Sequence, residues 1–519
     1  MTLSRRSLIH LVGKAGGVAA AYQTMAAMGL LAVPAAYAGP PAMPPGRGRR
    51  VVIIGAGIAG MVLAYELRKT GFRPVVLEAR GRPGGRNWSL RGGDTVTETD
   101  STQHVVWDHD EHLYFNPGPA RLPHSHEGIL SYCRLLGVPL EVMCNDNRAA
   151  LMQDDHAFDG APQLNGRVVN DVRGFVAELA AKAVDKDLLT QTVTVEDKDR
   201  LRAMLRSFGA LDNEMAYRGS ARSGWTEPPD ATQPGSAVHP LDIRQILASD
   251  FWQGPMQFGE LPTMAATMLQ PVGGMGRIGQ AFGQALREVI TYEAVVTALR
   301  RTEAGARITW KHTGMGAEHR IDAPCAVVGV PFSALGAVDA DFCPRTRAAI
   351  EAVEYVPAAK VAFQAERRFW ELDQQIYGGI SWTSRDATQV WYPSGGLQRA
   401  KGILVGAYIW SEDLGNAFAA KTLAQRLSDT LDDVAHLHPQ AQRFLGRGVS
   451  VAWKNIPYSR GGWAEWGREA RATQFPVLLE GDGPYLFAGE HMSFVTGWQE
   501  GAVLSAHKVL GDIAKRMGG

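Results

Sequence analysis

Residues 51–60 read VVIIGAGIAG, and no other stretch narrows the fold of this chain as far. A β-branched apolar run enters Gly-x-Gly-x-x-Gly at Gly55, Gly57 and Gly60. A helix-like segment follows over residues 58–70, Gly71 closes it, and a second apolar run at 74–77 ends in Glu78. Strand, glycine turn, helix, strand and acid, in that order, make one dinucleotide-binding βαβ unit. Gly55 permits the tight turn, Gly57 lets backbone approach a pyrophosphate, and Gly60 lets helix and strand pack closely. Ala56, Ile58 and Ala59 fill the turn and the first helical positions, where free N–H groups and the helix dipole favour an anion. Glu78 is placed to accept from ribose hydroxyls and would repel a 2′-phosphate, which disfavours NADP. FAD and NAD both remain open on this motif alone.

The N-terminus has a different character. Ser4-Arg5-Arg6-Ser7-Leu8-Ile9 is a twin-arginine signature, followed by an Ala- and Gly-rich apolar stretch over residues 11–36. Gly13, Lys14, Gly16, Gly17, Gln23 and Pro34 break that stretch, so it reads as an export signal rather than a membrane span. Ala36-Tyr37-Ala38 offers a cleavage site after Ala38. The expectation is a periplasmic or secreted protein that uses the twin-arginine export machinery, with no membrane span once mature. That route carries folded proteins, which suits acquisition of a bulky cofactor before export. Residues 40–50, PPAMPPGRGRR, read as a linker.

Lys plus Arg and Asp plus Glu each number 53, so no charge excess argues for nucleic acid or an anionic membrane. Four cysteines are too few for a disulfide scaffold, and free thiols are the expectation. Residues 171–206 read as helix, 224–240 as loop, and 292–300, 306–310, 326–330 and 404–410 as strands. A helix is expected over 421–434.

After Glu78 the chain reads EARGRPGGR, covering Ala79, Arg80, Gly84, Gly85 and Arg86. This resembles the Arg-rich, Gly-Gly-Arg segment of the flavin amine oxidase superfamily. Near the C-terminus, residues 484–502 read PYLFAGEHMSFVTGWQEGA, similar to the closing FAD motif of the same superfamily. The resemblance implies FAD. It places Gly84 and Gly85 by the diphosphate with Arg80 and Arg86 supplying charge, Gly489 and Glu490 by the ribityl chain, and Gly497-Trp498 opening a helix aimed at the flavin.

Within the superfamily the chain most resembles twin-arginine-exported bacterial L-amino-acid oxidases. Residues 116–126, NPGPARLPHSH, are similar to the segment whose Arg grips the substrate carboxylate. That role falls to Arg121, with Ala120 beside the cofactor. Guanidinium is a planar fork that holds a carboxylate bidentately. Val390-Trp391-Tyr392-Pro393 resembles the element that supplies the second carboxylate partner, implying Tyr392. YVPAAKVAFQAE at 355–366 resembles the segment carrying the flavin-proximal lysine that assists reaction with dioxygen, implying Lys360. WKNIPYSRGGW at 453–463 implies Trp453 by the flavin and Trp463 in the substrate pocket. Val296 matches a residue that bonds adenine through its backbone. No cysteine lies in the segment where some relatives carry a covalent flavin link, so the FAD is expected to be noncovalent.

The implied fold is α/β: a discontinuous Rossmann-like FAD-binding domain plus a mixed-sheet substrate-binding domain with a helical insertion. The corresponding boundaries are a signal peptide at 1–38 and a linker at 39–49. FAD-binding segments follow at 50–115, 266–332 and 448–519, with the insertion at 116–265 and the substrate-binding domain at 333–447. The implied reaction is oxidative deamination of L-amino acids, apolar or aromatic ones favoured, to 2-oxo acids, ammonia and hydrogen peroxide. Alternatives on the same scaffold are a monoamine or polyamine oxidase, a periplasmic dehydrogenase passing electrons to a carrier, a tryptophan monooxygenase-like enzyme releasing an amide, and a non-catalytic FAD-binding protein. Relatives are commonly homodimers, but no interface is legible. The histidines at 104, 109, 112, 124 and 126 match no tetrahedral metal pattern, and no metal is expected. No histidine of the insertion aligns with the one that some L-amino-acid oxidases place near substrate.

Overall fold

A computed structural model describes residues 37–185, 194–314 and 316–517. The twin-arginine segment falls within residues 1–36, outside the described residues. By internal contacts, Ala42–Gly519 forms one compact unit.

The opening βαβ unit forms as the sequence dictates. The strand Arg50–Ile54 leads through the glycine turn into the helix Ile58–Lys69 and back along the parallel strand Arg73–Leu77. These two strands sit within a five-stranded parallel sheet. Its order is Ile290–Thr291, Arg73–Leu77, Arg50–Ile54, Cys325–Val328 and Tyr485–Phe487. A parallel sheet is covered on both faces, so its strands read as continuous apolar runs rather than alternating ones. Val51, Val52 and Ile53 are accordingly fully buried. One face packs under the Gly-rich helix and the closing helix Gln499–Met517. The other packs on a four-stranded sheet that contains Ala294–Thr302, Gly305–His312 and Glu318–Ala323. The dinucleotide-type sheet is thus assembled from segments spread over most of the chain.

A seven-stranded mixed sheet forms the second half. Its order is Leu445–Ala452, Ala359–Ala365, Gly402–Ile409, Gln389–Tyr392, Gly379–Thr383, Leu151–Gln153 and Gln163–Leu164. The border expected at 447/448 falls inside Leu445–Ala452, which pairs with Ala359–Ala365 from end to end. The insertion folds back as the helices Asn165–Asp185 and Val195–Gly209. They close on a small apolar cluster of Ala177, Ala181, Val184, Leu205 and Tyr217. The expected loop at 224–240 carries a short two-stranded ribbon, Trp225–Glu227 with Ser236–Ala237. The C-terminal end of the expected linker is tied down: the Gly46 N–H donates to Thr70 O at 2.7 Å and the Gly48 N–H to Gly71 O at 2.9 Å. Among the described residues no helix is long and apolar enough to cross a membrane.

Candidate active site

A cavity of about 420 Å³ runs from the glycine turn to the seven-stranded sheet. At its first end stand Gly55, Gly57, Ile58 and Ala59, with Glu78, Ala79, Arg80, Gly84, Gly85 and Arg86 alongside. Val296 lines the same end. Ala56 and Gly60 do not reach the cavity surface and act from behind it. The Ala56 N–H donates to Glu78 Oε2 at 2.7 Å, and the Arg80 N–H donates to Glu78 Oε1 at 2.9 Å. A Cβ on Gly60 would lie 2.1 Å from Gly55 O, so only glycine lets the helix start this close to the strand. A Cβ on Gly57 would meet nothing within 4 Å, because the backbone there opens onto the cavity.

The charge at this end fits a dinucleotide diphosphate. The first turn of the Ile58–Lys69 helix carries no acid. Arg80 is partly buried, and loss of solvent lowers its pKa, with Glu78 opposing and Arg86 adding to the shift. Burial, with Arg80 adding to it, pushes Arg82 down to about 9. A helix N-terminus without an acid and the guanidinium groups of Arg80 and Arg86 along one cavity wall suit an anion.

In the middle of the cavity, Glu490 ties three remote segments together. Its carboxylate accepts from Arg86 Nη1 at 2.9 Å, from the Ala464 N–H at 3.2 Å and from the Gly497 N–H at 3.0 Å. Gly489, Gly497, Trp498 and Trp463 line the wall beside it, and the closing helix begins at Gln499. Trp453 is buried against the same wall with its Nε1 donating to Pro117 O at 2.8 Å. The four cysteines are free thiols and none lines the cavity.

At the far end two buried basic side chains share the wall. Lys360 lies on the wholly buried strand Ala359–Ala365. Its Nζ donates to Gly118 O at 2.7 Å and Asn116 O at 3.2 Å, and lies 4.3 Å from the centre of the Tyr408 ring. Burial, reinforced by Arg121, holds its pKa well below the usual lysine value. Arg121 is 7% exposed. It donates to Asn145 Oδ1 at 2.8 Å and sits among aromatic faces: Trp391 at 4.8 Å, Phe258 at 5.2 Å and Trp498 at 5.8 Å. Burial pushes it down to about 10. Among the described residues no carboxylate pairs with it.

Tyr392 is not brought to this cavity wall by its hydroxyl, contrary to the expectation from its motif. Strand residues alternate faces, so Trp391 faces Arg121 while the Tyr392 hydroxyl bonds His438 Nε2 at 2.6 Å and Ser381 Oγ at 2.7 Å. A tyrosine that does line the cavity and interacts with Arg121 is Tyr408, the cross-strand partner of Lys360. Two further residues, Asn145 and Met264, escaped the sequence reading. His126 lies in the segment read for Arg121 but was given no role there, and it lines the cavity. His126 stands edge-on to Trp498 at 4.9 Å with its Nδ1 buried and unpartnered. Burial, then His124, pushes it down to about 4. A strand pattern at 404–410 marks alternation but not which sheet face meets a cavity, and nothing local marks Asn145. Among the described residues no group of His, Cys, Asp and Glu is placed to hold a metal ion.

Residues 58–513 match the family model for flavin-containing amine oxidoreductases. The chain is 25% identical to a putative L-amino-acid oxidase, YobN, of Bacillus subtilis over 483 residues, covering 89% of this chain and 94% of the relative. It is 26% identical over 482 residues to the flavin-dependent L-tryptophan oxidase RebO of Lentzea aerocolonigenes, covering 88% and 96%. Among solved structures, putrescine oxidase bound to putrescine aligns with a TM-score of 0.59 at 18% identity, covering 90% of this chain and 99% of that one. Cyclohexylamine oxidase from Brevibacterium oxydans gives a TM-score of 0.59 at 18% identity, covering 91% and 100%. The glycine turn, the diphosphate-suited arginines and a family match over most of the length agree: this chain belongs to the flavin-containing amine oxidoreductases, with FAD as its cofactor.

Proposed function

We propose that this enzyme is an L-amino-acid oxidase. It converts an apolar or aromatic L-amino acid, dioxygen and water into the 2-oxo acid, ammonia and hydrogen peroxide. The observation that carries the reading is Arg121: a buried guanidinium, walled by aromatic rings, with no carboxylate partner among the described residues. A buried cation without a counter-charge is costly. A substrate carboxylate supplies the missing charge in the geometry guanidinium prefers. An amine lacking a carboxylate leaves that cost unrelieved.

The rest of the wall follows from the same chemistry. Arg121 and Tyr408 fix the carboxylate and thereby the direction of the substrate α-hydrogen. Among the described residues the acids lining the cavity, Glu78 and Glu490, are engaged by backbone N–H groups and Arg86. A basic substrate side chain therefore finds no free acid there, whereas an apolar or aromatic one meets Trp391, Trp410 and Met264. FAD, held by the glycine turn, Glu78, Arg86 and Glu490, would supply the hydride acceptor for the substrate α-carbon and the route for its electrons to dioxygen. Lys360, kept short of solvent and anchored on two carbonyls, places a nitrogen at the wall where dioxygen would react. Absence of a cysteine from the wall supports noncovalent binding.

The export reading belongs to this proposal: a twin-arginine leader ending at Ala38 delivers the loaded enzyme to the periplasm or beyond. The test is peroxide release by purified holoenzyme with L-phenylalanine, D-phenylalanine, phenethylamine and L-lysine. Turnover of L-phenylalanine but not phenethylamine is expected. Turnover of phenethylamine alone would move the enzyme to the amine oxidases, and substrate-driven bleaching without peroxide would make it a dehydrogenase.

A further inference from the structure

Among the described residues one side chain accepts a hydrogen bond from the buried Arg121 guanidinium, and that side chain is neutral. Asn145 follows the strand Leu140–Met143 and is 5% exposed. Both halves of its amide are used: Oδ1 accepts from Arg121 Nη1 at 2.8 Å, and Nδ2 donates to Met264 O at 2.8 Å. The Met264 carbonyl fixes which end of the amide faces the arginine, since a carbonyl accepts only from the NH2 end. Asn145 thereby orients the guanidinium and ties it to the insertion, yet gives it no charge. Aspartate has the same shape as asparagine and, at this place, would close a buried ion pair with Arg121.

We propose that Asn145 is a specificity-determining residue, reserving Arg121 for a substrate that brings its own carboxylate. The inference rests on the amino-acid oxidase reading and deepens it. The choice between carboxylate-bearing and plain amines is set by the neutrality of the group behind Arg121 as well as by Arg121 itself. Asn145 and the Met264 carbonyl that orients it lie outside the motif that carries Arg121, so the clamp extends beyond that motif.

The experiment compares wild-type holoenzyme with Asn145→Asp and Asn145→Ala. Each is measured for kcat and KM on L-phenylalanine and phenethylamine, for FAD content, and for binding of benzoate by its perturbation of the flavin spectrum. Asn145→Asp is expected to raise KM for L-phenylalanine and weaken benzoate about 10- to 100-fold, the scale of a charged hydrogen-bond partner. Phenethylamine should gain relative to L-phenylalanine. Asn145→Ala adds no competing charge, so it should weaken benzoate less and leave the ratio of the two substrates near the wild-type value. Benzoate affinity and KM unchanged in Asn145→Asp with full FAD content would overturn the proposal. So would equal losses in both variants without a change in substrate ratio, which would mark Asn145 as a packing strut. Should Asn145→Asp fail to retain FAD, Asn145→Glu takes its place in the same assays: a weakened benzoate with a ratio shifted toward phenethylamine supports the proposal, and unchanged benzoate affinity and ratio overturn it. Wild-type enzyme that ignores L-amino acids would instead defeat the amino-acid reading itself, before any variant is made.

Discussion

Trp391 and Tyr392 are neighbours on one strand and face opposite sides of the sheet. The Trp391 ring lies 4.8 Å from the Arg121 guanidinium, while the Tyr392 hydroxyl bonds His438 at 2.6 Å within the core. Tyr392→Phe therefore removes a structural hydroxyl: it should cost about 1–2 kcal/mol of stability and leave kcat/KM within about twofold of wild type. Tyr408→Phe should do the reverse, raising KM for L-phenylalanine about fivefold or more with little effect on stability. Steady-state kinetics together with urea unfolding of both variants checks the assignment. A large KM effect confined to Tyr392→Phe would return the carboxylate role to that residue.

Lys360 hangs from Gly118 O and Asn116 O, carbonyls of the loop that leads into Arg121. Lys360→Met fills similar volume and leaves those carbonyls without their donor. Substrate-driven bleaching of the flavin should persist. Recovery of the yellow colour on admitting dioxygen should slow by about tenfold or more, the usual scale for losing a positioned proton-handling group. Stopped-flow measurement of the two half-reactions separates them, and equal slowing of both would give Lys360 a purely structural part.

What could be read from the chain beforehand follows from how local each feature is. The glycine turn, its helix and Glu78 are contiguous, and their geometry is dictated within a single βαβ unit. Arg80, Arg86, Glu490 and Trp498 were legible because their segments resemble a family, although the bonds that join Glu490 to Arg86, Ala464 and Gly497 appear only on folding. Tyr392 was misplaced because the motif names a strand and a two-residue period decides which of its neighbours faces the cavity. Asn145 and Tyr408 were invisible for a stronger reason. Each reaches the site through contact with a segment far away in sequence: the strand pattern at 404–410 does not say which face meets the cavity, and no local run marks Asn145.

Glu490 neutralises Arg86 while receiving the N–H of Gly497 at 3.0 Å. Glu490→Gln keeps the shape but turns one acceptor into a donor facing those groups. The partly buried Arg86 then lacks its counter-charge, and the turn into the closing helix loses an anchor. FAD affinity should fall about 10- to 100-fold, from loss of a charge-assisted hydrogen bond of about 1.5–3 kcal/mol. Apoenzyme titrated with FAD by fluorescence quenching checks this, and unchanged affinity would show that the carboxylate serves packing alone.

Acid should weaken the fold at a pH where most carboxylates are still charged. Burial pushes His126 and His438 down to about 4 and, helped by Arg86, His491 to about 3, against 6.5 for an unburied imidazole. Below that ordinary value the unfolded chain takes up protons that the folded chain refuses. Stability is therefore full above it and falls as pH drops toward 4, by on the order of 3 kcal/mol for each histidine. Both nitrogens of His491 are buried without partners, and its ring stands against Phe332. His491→Leu should therefore flatten the acid limb by a similar amount. His438→Asn should flatten it too, at the cost of the bond to Tyr392. Urea unfolding of the holoenzyme at about pH 7.5 and about pH 5 measures the slope. A wild-type stability equal at the two pH values would mean that these imidazoles gain solvent or partners in solution.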